Sequence, residues 1–133
     1  MSFDLAAQKG IIDNLKASVG LSALVGTRIY DYVPQKPTFP FINIGEDSLT
    51  EFDTTTEYGA RIAATIHTWS NNRGRKECKD IQAEIRNSLH EATLTFPAFT
   101  IDICRWESSQ SFIDADGTTR HGVCIYNLYI QEN

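Results

Sequence analysis

The stretch HTWSNNRGRKECKDIQAEIRNSLHEA, His67 to Ala92, starts in one structural period and ends in another. Its lead-in ARIAATIHTW alternates: Ile62, Ala64 and Ile66 fall on one face, and Arg61, Thr65, His67 and Trp69 on the other, the two-residue period of a strand. From Arg75 to Ala92 the period lengthens. Cys78, Ile81, Ile85, Leu89 and Ala92 recur at three- and four-residue steps, while Lys76, Lys79, Asp80, Glu84 and Arg86 fall elsewhere. That is a helix lying on a sheet. The turn between them holds Asn71, Asn72, Arg73, Gly74 and Arg75, so the stretch reads as an active site, a nucleic-acid grip or a joint between packed elements.

The same reading extends outward. SFDLAAQKGIIDNLKASVG has Leu5, Ile11, Ile12, Leu15 and Val19 at near-helical spacing, with Ser2 as N-cap and Gly20 just past the end; it predicts one amphipathic helix despite Gly10. Pro34, Pro37 and Pro40 then deny further helix and mark a short strand near Arg28 to Tyr32 followed by an extended connection. PFINIG is strand-like through Phe41, Ile42 and Ile44 and ends at Gly45. The tract Glu46 to Gly59 carries Glu46, Asp47, Glu51, Asp53 and Glu57 and no basic residue, which predicts a solvated, mobile loop (about 46–58) or a long exposed hairpin tip. Two more strands, Phe99 to Phe112 and His121 to Ile130, flank DADGTTR, whose Asp116-Gly117 step is a hairpin signal. The expected order is α-β-β-β-α-β-β: a single α+β domain over residues 1–133, two helices packed on a mainly antiparallel sheet.

Composition narrows the function. With 133 residues and 41 % apolar content the chain can bury a core, and no stretch is apolar enough to span a bilayer. Its start lacks a basic leader and a hydrophobic run, so no secretory signal is expected and a reducing compartment is. Cys78, Cys104 and Cys124 are widely spaced with no Cys-x-x-Cys step, which favours buried free thiols over disulfides or zinc. A net charge of −5 repels a phosphate backbone, which argues against nucleic acid as a partner.

Catalytic signals are sparse. His67, His90 and His121 lack the short spacing of ligands on one element, although a constellation assembled from distant parts of the chain stays open. DADG, Asp114 to Gly117, opens like a calcium loop but lacks the glycine and glutamate that such a loop needs later. NNRGR lacks the spaced glycines of a nucleotide-binding turn. No enzyme is expected, and no cofactor or metal. What stands out instead is the strands' second face: Trp69, Tyr126, Tyr129 and Trp106 lie on or beside strands already apolar on the other side. Two helices leave one sheet face to be covered by a partner chain or by the long loop.

Several pieces in order carry a resemblance. Trp69-Ser70 at a strand end, the Gly74-Arg75 turn and a helix ending IRNSLH are followed at the C-terminus by DGTTRHGVCIYNLYI and preceded by LSALVGTRIYDYVPQ and PFINIG. Over nearly its whole length the chain resembles the tail-completion or tail-terminator proteins of long-tailed phages and gene-transfer particles. The resemblance implies a small α+β fold and a ring, usually of six copies, seated on the head-proximal end of the tail tube, which caps the tube and offers its other face to the head-tail connector protein. It implies a virion location, no chemistry, no membrane, no nucleic-acid sequence recognition, and the tail-tube protein and other copies of the chain as partners. The Ser70–Arg75 turn is then a structural joint.

From face assignment, the candidates for subunit or partner contact are Trp69, Trp106 and Tyr129, with Arg61 and Arg105 as charged partners. Glu46, Asp47, Glu51, Asp53 and Glu57 are candidates for contact with the tube, against plain solvation. The competing readings are another virion ring module, either a head-tail connector or a tail-tube subunit, and a small enzyme or ligand-binding domain.

Overall fold

A computed structural model of the chain describes residues 3–51, 59–90, 92–97 and 99–132, leaving aside the side chains of residues 51, 102–104 and 132. Its elements are α1 (Phe3–Lys16), α2 (Val19–Val25), β1 (Ile29–Tyr30), β2 (Phe41–Glu51), β3 (Gly59–Ser70), α3 (Lys76–Leu89), β4 (Leu94–Thr95), β5 (Phe99–Ile113) and β6 (Arg120–Glu132). The strands form one sheet in the order β1-β2-β3-β6-β5-β4, antiparallel except for the parallel β1–β2 edge. This is the α+β arrangement, with three helices among the described residues where two were expected.

The extra helix arises at Ser18. Its backbone is extended (φ −74°, ψ 121°) and its hydroxyl accepts the Leu21 N–H at 3.2 Å, so the apolar periodicity that runs through Val19 is cut and a new helix starts. Gly20 lies inside α2 rather than past a helix end; a Cβ there would stand 2.1 Å from the Glu84 carboxylate on α3, so its bareness serves the close approach of the two helices. α2 ends at Gly26, whose φ of 62° suits glycine. The expected Ser2 cap lies outside the described residues.

Two strands also differ from expectation. β4 is a two-residue edge piece on β5, too short to leave a periodic signal. The acidic tract is strand through Glu51, because Asp47 to Glu51 pair with Ala64 to Ala60. The loop boundary at Glu46 is therefore corrected by six residues, while residues 52–58 lie outside the described set. The Asp116-Gly117 turn is as expected. Gly117 has a φ of 76°, and the Asp116 carboxylate accepts the Thr118 and Thr119 N–H groups and the Thr119 hydroxyl; these hydrogen bonds, the hydroxyl first, lower its pKa to about 2.

All three helices cover one face of the sheet. Ala6, Ala7, Ile11 and Leu15 of α1, Leu21 and Val25 of α2, and Ile81, Ile85 and Leu89 of α3 pack on Ile42, Ile62, Ile66, Tyr126 and Leu128 of the strands. Cys78 and Cys124 lie free and buried on that side; burial first, then the neighbouring thiol, pushes Cys78 up to about 11, and burial raises Cys124 as well. Both thiols are thereby held neutral. The side chain of Cys104 lies outside the described set.

Loss of the Ser18 cap is expected to cost about 1 kcal/mol. Urea denaturation of Ser18→Ala should show that loss and Ser18→Asp should recover most of it; an unchanged midpoint in Ser18→Ala would mean that packing alone divides the helices.

Candidate interaction face

Alternation along β3 and β6 sends His67, Trp69, His121, Val123, Ile125 and Tyr129 away from the helices. Among the described residues no helix lies on this second face. At one end a row of rings crosses the sheet from strand to strand. Phe41 of β2 sits opposite Trp69 of β3, Trp69 opposite His121 of β6, and His121 opposite Phe112 of β5. Trp69 stacks on His121 with centroids 3.8 Å apart and planes 13° from parallel, and Phe112 tilts against His121 at 4.9 Å. Tyr30 and Phe39 close the row against Phe41. The Trp69 indole N–H donates to Asn43 Oδ1 at 2.6 Å, which fixes the ring's orientation.

A polar chain runs beside the row. Glu46 Oε1 accepts from His67 Nε2 at 2.7 Å, and His67 Nδ1 lies 2.7 Å from His121 Nε2. A proton on either nitrogen of that ring pair makes the hydrogen bond, whereas protons on both break it. The hydrogen bond from His67 holds the Glu46 carboxyl below its ordinary 4.5. Burial, then the charge of His67, holds His121 below 6.5, against a smaller upward pull from Asp114 and Glu46. Gly45 is required here: a Cβ would stand 2.4 Å from the His67 ring. The step from Ile44 to Asp47 is a bulge, which puts Gly45 and Glu46 together opposite Thr65 and so brings the carboxylate to the histidine.

Of the five candidate contact residues, four share the open face. Arg61 pairs with Tyr129, Arg105 with Asn127, and Trp69 lies at the other end, about 27 Å from Arg61 along β3. The face expected for Tyr126 and Trp106 is corrected: Tyr126 is fully buried on the helix side, and Trp106, which pairs with it, projects on that side too, with the Arg86 guanidinium 4.3 Å over its ring and its N–H on Ser109 Oγ at 2.7 Å. A bulge between Trp106 and Ser108 upsets the simple alternation there. Glu46 joins the histidine chain, Asp47 is exposed on β2, Glu51 ends β2, and Asp53 and Glu57 lie outside the described residues.

The histidine chain was not read from the sequence, because His67 and His121 meet only through the β3–β6 register; His90 caps the C-terminal end of α3. No group of three or more His, Cys, Asp or Glu among the described residues is placed to hold a metal ion. The Ser70–Arg75 turn is tied to the elements on either side of it. Ser70 donates to Glu77 at 2.6 Å and accepts the Asn72 N–H, and the Arg120 guanidinium donates to the Arg73 carbonyl. That arrangement seats α3 on the end of β3.

The family model described as tail completion protein gp17 matches residues 9–131. The chain belongs to that family. It is 28 % identical over 128 residues to the tail completion protein gp17 of Bacillus phage SPP1, covering 96 % of this chain and 94 % of that protein. The solved structure of bacteriophage SPP1 gp17 superposes with a TM-score of 0.62 at 26 % identity, over 93 % of this chain and 88 % of that one. A chain in the virion of a native gene transfer agent particle shares the fold with a TM-score of 0.88 at 21 % identity, over 98 % and 99 % of the two chains. Family membership gives the chain a structural role in a phage-type tail. No helix of the described residues is long and apolar enough to cross a membrane.

Because folding lowers the proton affinity of His121 and of Glu46, stability depends on pH. Below pH 6.5 the unfolded chain binds a proton at His121 that the folded chain refuses, so stability drops as pH falls until the folded ring is protonated too. Below pH 4.5 Glu46 adds a second loss in the same direction. The melting temperature should therefore decline between about pH 7 and about pH 5, and His121→Asn should flatten that decline. An equal slope in the variant would remove His121 as the cause.

Proposed function

We propose that the chain forms a closed ring, six copies in number, on the head-proximal end of the tail tube, where it stops tube polymerisation and provides the surface for head-tail joining. The observation that carries this reading is the family match across residues 9–131. An open sheet face with oriented aromatic rings supports it, because such a face is built for a protein partner rather than a small molecule. The work is steric, with no bond made or broken and no cofactor. The partners are other copies of the chain, the tail-tube protein and the head-tail connector protein.

Arg61, Trp69, Arg105 and Tyr129 are the contact residues of the open face, and Trp106 acts from the helix side. Glu46, Asp47, Glu51, Asp53 and Glu57 approach the tube. Ring closure needs a heterologous contact, in which one patch of the chain meets a different patch on the next copy.

Electron microscopy of lysates from cells lacking the gene should show overlong tails or separate heads and tails, corrected by supplying the native gene. Arg61→Glu combined with Tyr129→Ala should fail to correct the defect while retaining the native circular dichroism and melting profile. Normal tails already attached to heads in the deletion strain would overturn the reading.

A further inference from the structure

The sheet ends in two edges that are only partly paired. β1 covers β2 at Ile42 and Asn43, and β4 covers β5 at Thr100 and Ile101. Among the described residues no strand lies against β2 from Ile44 to Glu51, or against β5 on its outer side from Ile103 to Ile113. An open edge invites pairing with another chain and is ordinarily blunted by charged side chains, proline, a bulge or brevity. These two stretches are long and hold neither lysine nor proline; each has one bulge, and the charges are acidic on β2, at Glu46, Asp47 and Glu51, and mixed on β5, at Arg105 and Glu107.

They also gather exposed apolar groups. Leu49 on β2 is 50 % exposed, and Trp106, Phe112 and Ile113 on β5 are 40, 38 and 52 % exposed. Among the described residues the other exposed large apolar side chains, Leu5, Val19 and Tyr32, are scattered over α1, α2 and the β1–β2 connection. Direction is the second constraint. β2 runs antiparallel to β3, β3 to β6 and β6 to β5, so β5 runs opposite to β2. When one copy sets its β5 edge beside the β2 edge of an identically oriented neighbour, the new pair is antiparallel like the other long pairs in the sheet.

The caps leave room for this pairing. β1 occupies the start of β2 and β4 the start of β5; because the strands are opposed, the two caps lie at opposite ends of the joint. A stagger along the strands clears both, and stagger is what closing a sheet on itself requires. Bulges at Ile44/Asp47 and Trp106/Ser108 supply local curvature at the two edges.

The geometry points to strand addition between copies: the outer edge of β5 in one copy pairs antiparallel with the outer edge of β2 in the next, and repetition closes the ring. This rests on the ring reading above and specifies its joint. Pairing of this kind extends the open face from copy to copy, so that the aromatic row and the Arg61–Tyr129 band become ring-wide features. It also buries Leu49 and the exposed apolar side chains of β5.

Cysteine cross-linking tests it on tails purified from cells that make each variant in place of the native chain. Ser48 and Gln110 face the open side at the two edges and both are exposed. Ser48→Cys with Gln110→Cys in the same chain is combined with mild oxidation. Ser48→Cys with Ser108→Cys, and with Phe112→Cys, covers the alternative staggers. At least one combination should give a non-reducing gel ladder that stops at the ring number, while each single variant and the native chain give none. If microscopy shows rings and no combination gives a ladder, the edge joint is overturned and the ring stands. Absence of both rings and ladder overturns the ring reading itself, and a ladder without a highest rung overturns closure.

Discussion

The β3–β6 ladder is the constraint on which the rest depends. Gly59 to Ser70 pair without interruption with Gln131 to Arg120, and these two strands form the middle of the sheet. Side chains in such a pair alternate with a period of two, so a slip of β6 by one residue against β3 would send Tyr126 and Leu128 out of the core and His121 into it. The buried set on one side is large enough to forbid the slip: Cys124, Tyr126, Leu128, Ile62 and Ile66 are each essentially without solvent contact. The helices thereby lock the register from one face, and the locked register arranges the other. His67 meets His121 and Trp69 stacks on it because the core on the far side of the sheet will accept no other alignment.

A sheet with one covered face is a common solution for an antiparallel domain, but the uncovered face here is not a plain polar surface. Its rings are held in place before any partner arrives. Trp69 is fixed by Asn43 and by stacking, His121 by Trp69 and His67, and His67 by Glu46. Side chains already held in one rotamer lose little entropy on association, so a pre-ordered aromatic row retains more of its burial energy as affinity. The same logic makes the open edges of β2 and β5 meaningful: strand backbone that no described strand pairs with and exposed apolar groups coincide along them.

Much of the architecture was legible locally. The change of period between Trp69 and Arg75, the alternation in β3 and β6 and the Asp-Gly turn are written in neighbouring residues, and the structure has them where they were read. The misreadings have particular causes. Ser18 divides a continuous apolar periodicity by a single side-chain hydrogen bond, which the pattern of Ile11, Leu15 and Val19 conceals. Asp47 to Glu51 have the composition of a loop and are strand because β3 pairs with them. Trp106 projects on the helix side, beside the bulge that upsets the simple alternation of β5.

The sequence by itself determined the element types, the central strands, the seating of α3 after a polar turn, and the family through the order of its short motifs. Those properties rest on residues a few positions apart, where backbone preference and periodicity act. Only the tertiary structure decided that Glu46, His67 and His121 form one chain, that four of the five candidate contact residues share a face, and that β2 and β5 present opposed open edges. These are consequences of register between segments separated by tens of residues. Register is set by which alignment lets the helices close over Ile62, Ile66, Tyr126 and Leu128, a packing condition that no local stretch contains.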